Sequence, residues 1–559
     1  IIAEPFGLPD WTLKLVFVLL WIGLVVSIIL SWIYDITPEG VQKTKPLAAT
    51  SDQTTAKADA STSWRIATFV SIVVIVGLLL VNIFAIKKTP SPEYDHEKSI
   101  AVLPFKSLSD DPEKQYLADG IMDAILLNLS KIKDLHVFAR TSVEKYRETD
   151  KTAKEIGEEL SVAYLLEGTF QKYGDNVKLI VQLIKTIDDG HVWSNDYDRE
   201  WKDIFTVQSE VAQTIANELY AEITPEEKRN IEKKPTENLE AYDMYLKGRY
   251  FWNKRTEKDL NEAIKHFTNA VEEDSTYALA YAGLADSYTM MATYLYTPSN
   301  IGVSENFRKG KDAAIKALKM DNTLAEAYTS LAYVKLSFEW DWIGALKDFE
   351  QAINLNPDYS TAHQWYANCY TVLGQHNKAI AEAKLARKLD PYSSIANRNV
   401  GRRLYYARKY DQSIEESRKA LTVNPEFFPT FETLALAYLH DDMSKKAVEA
   451  MQKAVQYSGN DIVMKAYLGY VYGMTGNLNV AEQIHIELIQ KSKEIYIPSF
   501  AFALIELGLG DYESSIDWLE KAYHERSSQL IVLNVDPIYD PLRSNARFSE
   551  LVKRMNFDK

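Results

Sequence analysis

Two acidic pairs, one basic-hydroxyl triplet and one histidine–tryptophan cluster carry most of this chain's capacity for chemistry. Asp110 and Asp111 are adjacent at a helix start. Paired carboxylates can hold calcium or share a proton, but at such a place they serve the helix dipole. Asp119 and Asp123 are four residues apart and share a helical face, where solvated carboxylates are expected. Arg140-Thr141-Ser142 follows a strand and offers a guanidinium and two hydroxyls to an anion, or a cap to a helix. His191, Trp193 and Asp196 read as a pocket or as packing at a strand end. The sequence holds no phosphate-cradling Gly-x-x-x-x-Gly-Lys, no Gly-x-Ser-x-Gly elbow and no His-Glu-x-x-His. No two of the 9 histidines lie three or four residues apart, which argues against a metal site on one helix. The expectation is therefore no catalytic residue, no cofactor and no metal, in a protein that is not an enzyme.

The elements that would position a site are dominated by a repeat. Ala367, Tyr370, Gly374, Ala379 and Ala386 are closed by Pro391. Gly401, Leu404, Arg408, Ser413 and Ala420 follow, closed by Pro425, and then Ala435, Tyr438, Asp442, Ala447 and Ala454. The period is about 34 residues, that of a tetratricopeptide repeat, and looser copies extend it to about eight units over 239–525. Small residues such as Ala367 and Ala379 let two antiparallel helices approach. Trp365 and Tyr370 fill the space toward the next unit, and Pro391 ends it. Thr256 is a candidate cap for one second helix. Stacked first helices line a concave groove, so the predicted binding surface is that inner wall. Asn368, Arg402 and Arg403 are its candidate contacts for a protein or peptide partner.

The net charge of −15 speaks against nucleic acid as a partner, because phosphate binding needs a basic surface. The single cysteine, Cys369, sits in a repeat helix and is expected to be a small buried hydrophobe.

Two apolar stretches, about 15–34 and 66–86, are each about 20 residues long, enough to cross a bilayer. Residues 1–88 are thus predicted to be a membrane region with two transmembrane helices, making the lipid bilayer a second partner. Lys43, Lys45, Lys57 and Arg65 between the stretches slightly outnumber the basic residues after the second, Lys87, Lys88 and Lys98. That bias favours a large C-terminal region outside the cytosol. Ile1-Ile2-Ala3 reads as the tail of a preceding apolar stretch, so an upstream span and a cytosolic N-terminus are expected.

A tether over 89–98 leads to an α/β domain over 99–221. Ser99–Phe105 reads as a buried strand, and Leu117, Ile121, Ile125 and Leu129 as a helical stripe. Ala163–Lys172 and Val177–Ile187 are expected to pair across Gly174-Asp-Asn176. Residues 222–238 form a charged linker, and 526–559 a C-terminal cap. The fold class is mainly α: two transmembrane helices, a small α/β domain, then an α-solenoid.

Ile100-Ala-Val-Leu-Pro-Phe105, Tyr116-Leu-Ala-Asp-Gly-Ile121, Ala139-Arg-Thr-Ser142, Leu166-Glu-Gly168 and Trp193-Ser194 together resemble the FlgO/TolB-N-terminal-like domain. In bacterial membrane proteins that domain is often fused to tetratricopeptide repeats. Val535-Asp-Pro537, Asp540-Pro-Leu-Arg543 and Arg547-Phe548 resemble the closing segment of such proteins. Relatives often carry a cyclase, kinase or winged-helix module, and none is visible in this sequence. The resemblance implies a bacterial inner-membrane protein with periplasmic repeats. The function expected is a non-enzymatic anchored scaffold or sensor. The alternatives are a regulatory signalling protein with an upstream cytosolic module, and an enzyme of unknown type in the α/β domain.

Overall fold

The computed structural model describes residues 34–37, 40–43, 96–109, 114–294 and 302–557. Contacts divide the chain into two units, Ile1–Thr89 and Pro90–Lys559. In the first unit an antiparallel hairpin joins β1 (Tyr34–Thr37) to β2 (Gly40–Lys43). The two stretches predicted to be transmembrane lie outside the described residues, apart from Tyr34, which begins β1. Among the described residues no helix is long and apolar enough to cross a membrane. Even the 18-residue helix Val303–Met320 is amphipathic, with Glu305, Arg308, Lys309 and Lys311 along it, whereas a span needs about 20 mostly apolar residues. The fold class is corrected accordingly. The chain is mainly helical with a tetratricopeptide-like solenoid and an α/β domain, and the two transmembrane helices and the bilayer contact built on them are withdrawn.

The α/β domain is built on β3 (Ser99–Val102), whose four residues are all buried. It pairs in parallel with β5 (His136–Val137) and with β6 (Tyr164–Tyr173), and the short β4 (Lys106–Ser107) extends along β6. β6 turns at Gly174 (φ +59°) into antiparallel β7 (Asn176–Lys185), and β7 pairs with β8 (Gly190–Glu200). Val177, Leu179, Val181 and Leu183 point inward as their alternation requires. Two 15-residue helices, α1 (Gln115–Leu129) and α4 (Ile204–Glu218), help to close the apolar core. Between them lie α2 (Arg140–Val143) and α3 (Ala153–Leu160). The segment that reads as a linker carries α5 (Pro225–Glu232). Thr224 and Glu227 cap α5 reciprocally, and its Ile231 is buried.

Eight helix pairs follow among the described residues. They are α6 (Leu239–Lys254) with α7 (Glu257–Glu273), α8 (Ala278–Tyr294) with α9 (Val303–Met320), and α10 (Ala325–Val334) with α11 (Trp342–Leu355). Next come α12 (Ser360–Val372) with α13 (His376–Leu389), α14 (Ser394–Tyr406) with α15 (Tyr410–Val423), and α16 (Phe428–His440) with α17 (Ser444–Tyr457). The last are α18 (Ile462–Met474) with α19 (Leu478–Lys491) and α20 (Ser499–Leu509) with α21 (Tyr512–His524). Thr256 caps α7, its hydroxyl accepting from the Asp259 amide at 3.1 Å. A Cβ on Gly401 would stand 2.5 Å from Ser417 Oγ, so α14 and α15 meet at a residue without a side chain. Cys369 is fully buried, and burial pushes its thiol up to about 12.

Second helices bury one stripe each, such as Ala379, Ile380, Ala383, Ala386 and Leu389 on α13. First helices beyond α6 are different. In α12, Ser360, Ala362–Ala367 and Cys369–Val372 are all buried, and α20 is buried almost all round. An apolar stripe facing only the partner helix cannot produce this. The inner side of the array must therefore be covered.

Candidate protein-binding surface

The chain itself provides the cover. In the C-terminal half, 3-10 turns at Ser528–Val532 and Pro537–Leu542 precede α22 (Ala546–Arg554). Leu530, Leu533, Ile538, Leu542, Phe548 and Leu551 join the core of the repeats. Asp536 accepts from the Tyr405 hydroxyl at 2.9 Å and from the Ile538 amide at 3.1 Å. Burial pushes its carboxyl above the usual range, and Arg402 works against that rise. Asp540 takes two hydrogen bonds from the Arg408 guanidinium, at 2.5 and 2.7 Å. Further back, the Trp342 indole donates to the Met555 carbonyl at 3.0 Å.

The α/β domain engages the turns between repeats. The Val137 amide donates to Asp358 at 2.9 Å, with His136 beside the same carboxylate at 3.4 Å. Thr141 and Ser142 both donate to Asp390, Ser142 at 2.6 Å. The anion-binding groups of the Arg140-Thr-Ser142 segment are therefore taken up by the chain's own carboxylates. Arg140 itself pairs with Asp123 at 2.7 Å and Asp119 at 3.3 Å, and Arg147 reaches Asp119 at 2.9 Å. The solvated face expected for Asp119 and Asp123 is in fact a buried ion-pair network, with Asp119 only 3 % exposed. Asp110 and Asp111 lie outside the described residues. His191 is exposed and bonded to Gln182, Asp196 pairs with Lys178 at 3.1 Å, and Trp193 packs against the core of the α/β domain. Among the described residues no group of three or more His, Cys, Asp or Glu is placed to hold a metal.

Of the three groove candidates, Arg403 meets Asn368, which stays half-buried, while both arginines are withdrawn from solvent. Arg402 is 6 % exposed and Arg403 5 %. Arg402 donates to Glu432 at 2.8 Å and to the Tyr406 hydroxyl at 2.9 Å. Burial alone would lower its pKa, but the Glu432 carboxylate drives it above its usual value. Arg403 donates to the Asn368 side-chain oxygen at 2.5 Å and to the Thr371 hydroxyl at 3.1 Å. With no carboxylate partner among the described residues, it is pulled down to about 9 by burial and by the neighbouring Arg398 and Arg402.

A cleft of about 1380 Å³ lies open between the end of α1, helix α5 and the first three inter-repeat turns. Lys131, Asn230, Lys233, Asp321, Thr323 and Glu326 line it. Lys131 donates to Asn128 Oδ1 at 2.9 Å and to the Asn230 carbonyl at 3.0 Å. Burial brings its ammonium down to about 8, against the pull of Glu326 and Asp321. Lys233 pairs with Asp321 at 2.7 Å across the cleft's edge. None of these residues stood out in the sequence. The local signal was the recurring acidic or amide residue after the second helix in the first five inter-repeat turns, Asp274, Asp321, Asn356, Asp390 and Asn424.

Comparison with known proteins agrees with this division. Residues 96–214 match the second domain of HilA/YgeH-like transcriptional regulators, and 348–381 match a tetratricopeptide repeat family. A protein of Rhizobium meliloti named "Putative adenylate cyclase 3" is 32 % identical over 251 residues, 45 % of this chain and 42 % of that protein. Transcriptional regulator HilA of Salmonella typhimurium is 26 % identical over 178 residues, 32 % of this chain and 31 % of its own. The chain thus spans less than half the length of these curated relatives. Among solved structures, a tetratricopeptide repeat protein of Parabacteroides merdae matches at 15 % identity and a TM-score of 0.36, over 49 % of this chain and all of that one. The chain thus carries a tetratricopeptide-like solenoid with a HilA-like segment ahead of it, and is similar to the Rhizobium protein over part of its length.

Proposed function

We propose that this chain is a non-catalytic interaction scaffold that receives a peptide segment of a partner protein in the cleft between its α/β domain and its first three repeats. The carrying observation is the cleft of about 1380 Å³, walled by the α/β domain, α5 and the inter-repeat turns. It exceeds the size usual for a small-molecule pocket, roughly 300–1,000 Å³, and suits an extended segment. Its lining offers both charges, Lys131 and Glu326, and the hydroxyl of Thr323. Tetratricopeptide repeats commonly present an open groove, but here the chain's own segments fill that groove and move recognition to its edge. The test is a peptide array probed with the full chain. Thr323→Trp, which fills the cleft, should weaken captured peptides at least about tenfold. Unchanged capture by a folded Thr323→Trp variant would remove the cleft from the proposal.

A regulatory reading also has support. The HilA-like match over 96–214 and the cyclase-named relative both place similar segments in proteins named for signalling or transcription. In this reading the α/β domain and repeats form the regulatory arm of a signalling protein. Deleting residues 96–214 in the native host should then alter transcript or cyclic-nucleotide levels, and unchanged levels would discard it.

A further inference from the structure

Helix α19 departs from the pattern of the other second helices. α17 buries Ala447, Ala450, Met451, Ala454 and Val455, whereas α19 buries only Ala481 and Leu488. The cause lies one layer in. α18 and α20 touch backbone to backbone, and a Cβ on Gly508 would stand 2.7 Å from the Tyr470 Cα. With those first helices in direct contact, α19 is left outside the seam. Its apolar side chains remain in water, with Leu478 46 %, Ile486 62 % and Ile489 43 % exposed.

At about 100° per residue, Leu478, Glu482, Ile486 and Ile489 lie within an arc of about 80°. Lys493 lies two residues past the end of α19, in a turn that Ser492 enters with helical dihedrals. Exposed apolar side chains grouped on one helix face mark an interaction site. The charges on this face say which. Glu482 near one end and Lys493 near the other are exposed, and neither side chain is in an ion pair among the described residues. Positions 482 and 493 share a midpoint, between Glu487 and Leu488, with positions 486 and 489. An antiparallel copy of the same helix therefore sets Ile486 against Ile489 of the second copy and Glu482 against Lys493 of the second copy, twice over. A two-fold interface requires this self-complementarity.

We propose that α19 is a homodimerisation helix, pairing antiparallel with α19 of a second copy of this chain. The inference is independent of the peptide cleft, which lies on other elements.

Sedimentation velocity of the purified full chain over about 1–100 μM tests it. A concentration-dependent dimer is expected, and Ile486→Glu should abolish it while circular dichroism stays unchanged. Glu482→Lys alone should weaken association by up to about tenfold, since two symmetry-related exposed pairs become repulsive. Adding Lys493→Glu should restore it. Glu482→Cys mixed with Lys493→Cys should give a disulfide-linked heterodimer, and neither variant alone should cross-link. A monomer throughout the range overturns the proposal. So does a dimer indifferent to Ile486→Glu, or cross-linking of Glu482→Cys to itself, which would mean a parallel pair or another face.

Discussion

The Tyr405 hydroxyl donates to the Asp536 carboxylate at 2.9 Å, joining a first helix of the array to a segment 131 residues further along. This bond lies where an open groove would take a foreign peptide. The segment around it is integral, since Leu533 and Leu542 are fully buried on either side. Replacing Asp536 with alanine strands the Tyr405 hydroxyl and the Ile538 amide. Asp536→Ala should lower the free energy of unfolding by about 2–3 kcal/mol, measured by urea denaturation. Asp536→Asn should cost less, because its amide oxygen still accepts from Tyr405.

Arg402 and Arg403 are neighbours with different consequences. Arg402→Met leaves Glu432 buried with Arg398 as its remaining cationic partner, and should destabilise by about 3–5 kcal/mol. Among the described residues Arg403 neutralises no carboxylate, and its Nε has no hydrogen-bond partner. Arg403→Met should therefore be near neutral or stabilising. Thermal unfolding of the two variants side by side gives the comparison.

Asp286 on α8 provides a pH test. It is buried, accepts from Ser330 and lies 3.9 Å from Arg249. Burial raises its pKa from 3.8 to about 6, tempered by Ser330 and Arg249. Between those values the folded chain holds a proton that the unfolded chain has released. Stability from this group is therefore present at low pH and falls as pH rises through about 6. Subtracting the pH–stability curve of Asp286→Asn should isolate a decline on the order of 3 kcal/mol over that window. A flat difference would show that the carboxyl titrates normally.

Gly508 is a packing requirement. A methyl group there meets Tyr470 Cα at 2.7 Å and its carbonyl oxygen at 2.8 Å, both backbone atoms that cannot rotate away. Gly508→Ala should cost about 1–3 kcal/mol by overpacking, despite alanine's higher helix propensity. Denaturant unfolding measures the loss. Hydrogen exchange should quicken first in α18 and α20.

Much of the architecture was legible from local pattern. The alanines at 367, 379, 386, 435, 447 and 454 are all buried where helices meet. The alternation from Val177 to Leu183 marked the inward face of a strand, and Thr256 caps its helix. These are short-range consequences of side-chain volume, periodicity and capping, which a single stretch of sequence carries in full. β8 is an edge strand that buries only Tyr197, leaving little alternation to read in the sequence. Hydropathy alone suggested two spans, and no helix among the described residues meets that requirement.

The candidate site was not legible in this way. Asn368, Arg402 and Arg403 could be placed on first helices from spacing alone, but spacing does not say what lies across from a helix. That depends on where residues 526–557 and the α/β domain come to rest. Asp119 was equally opaque until Arg147, 28 residues later, met it in a buried pair. Periodicity along the chain thus determined which residues form helices and which face packs on the next. Contacts between distant segments decided that the inner wall is filled, that the cleft at its edge stays open, and that α19 faces water. Burial of a charge depends on three-dimensional neighbours, and no local window contains them.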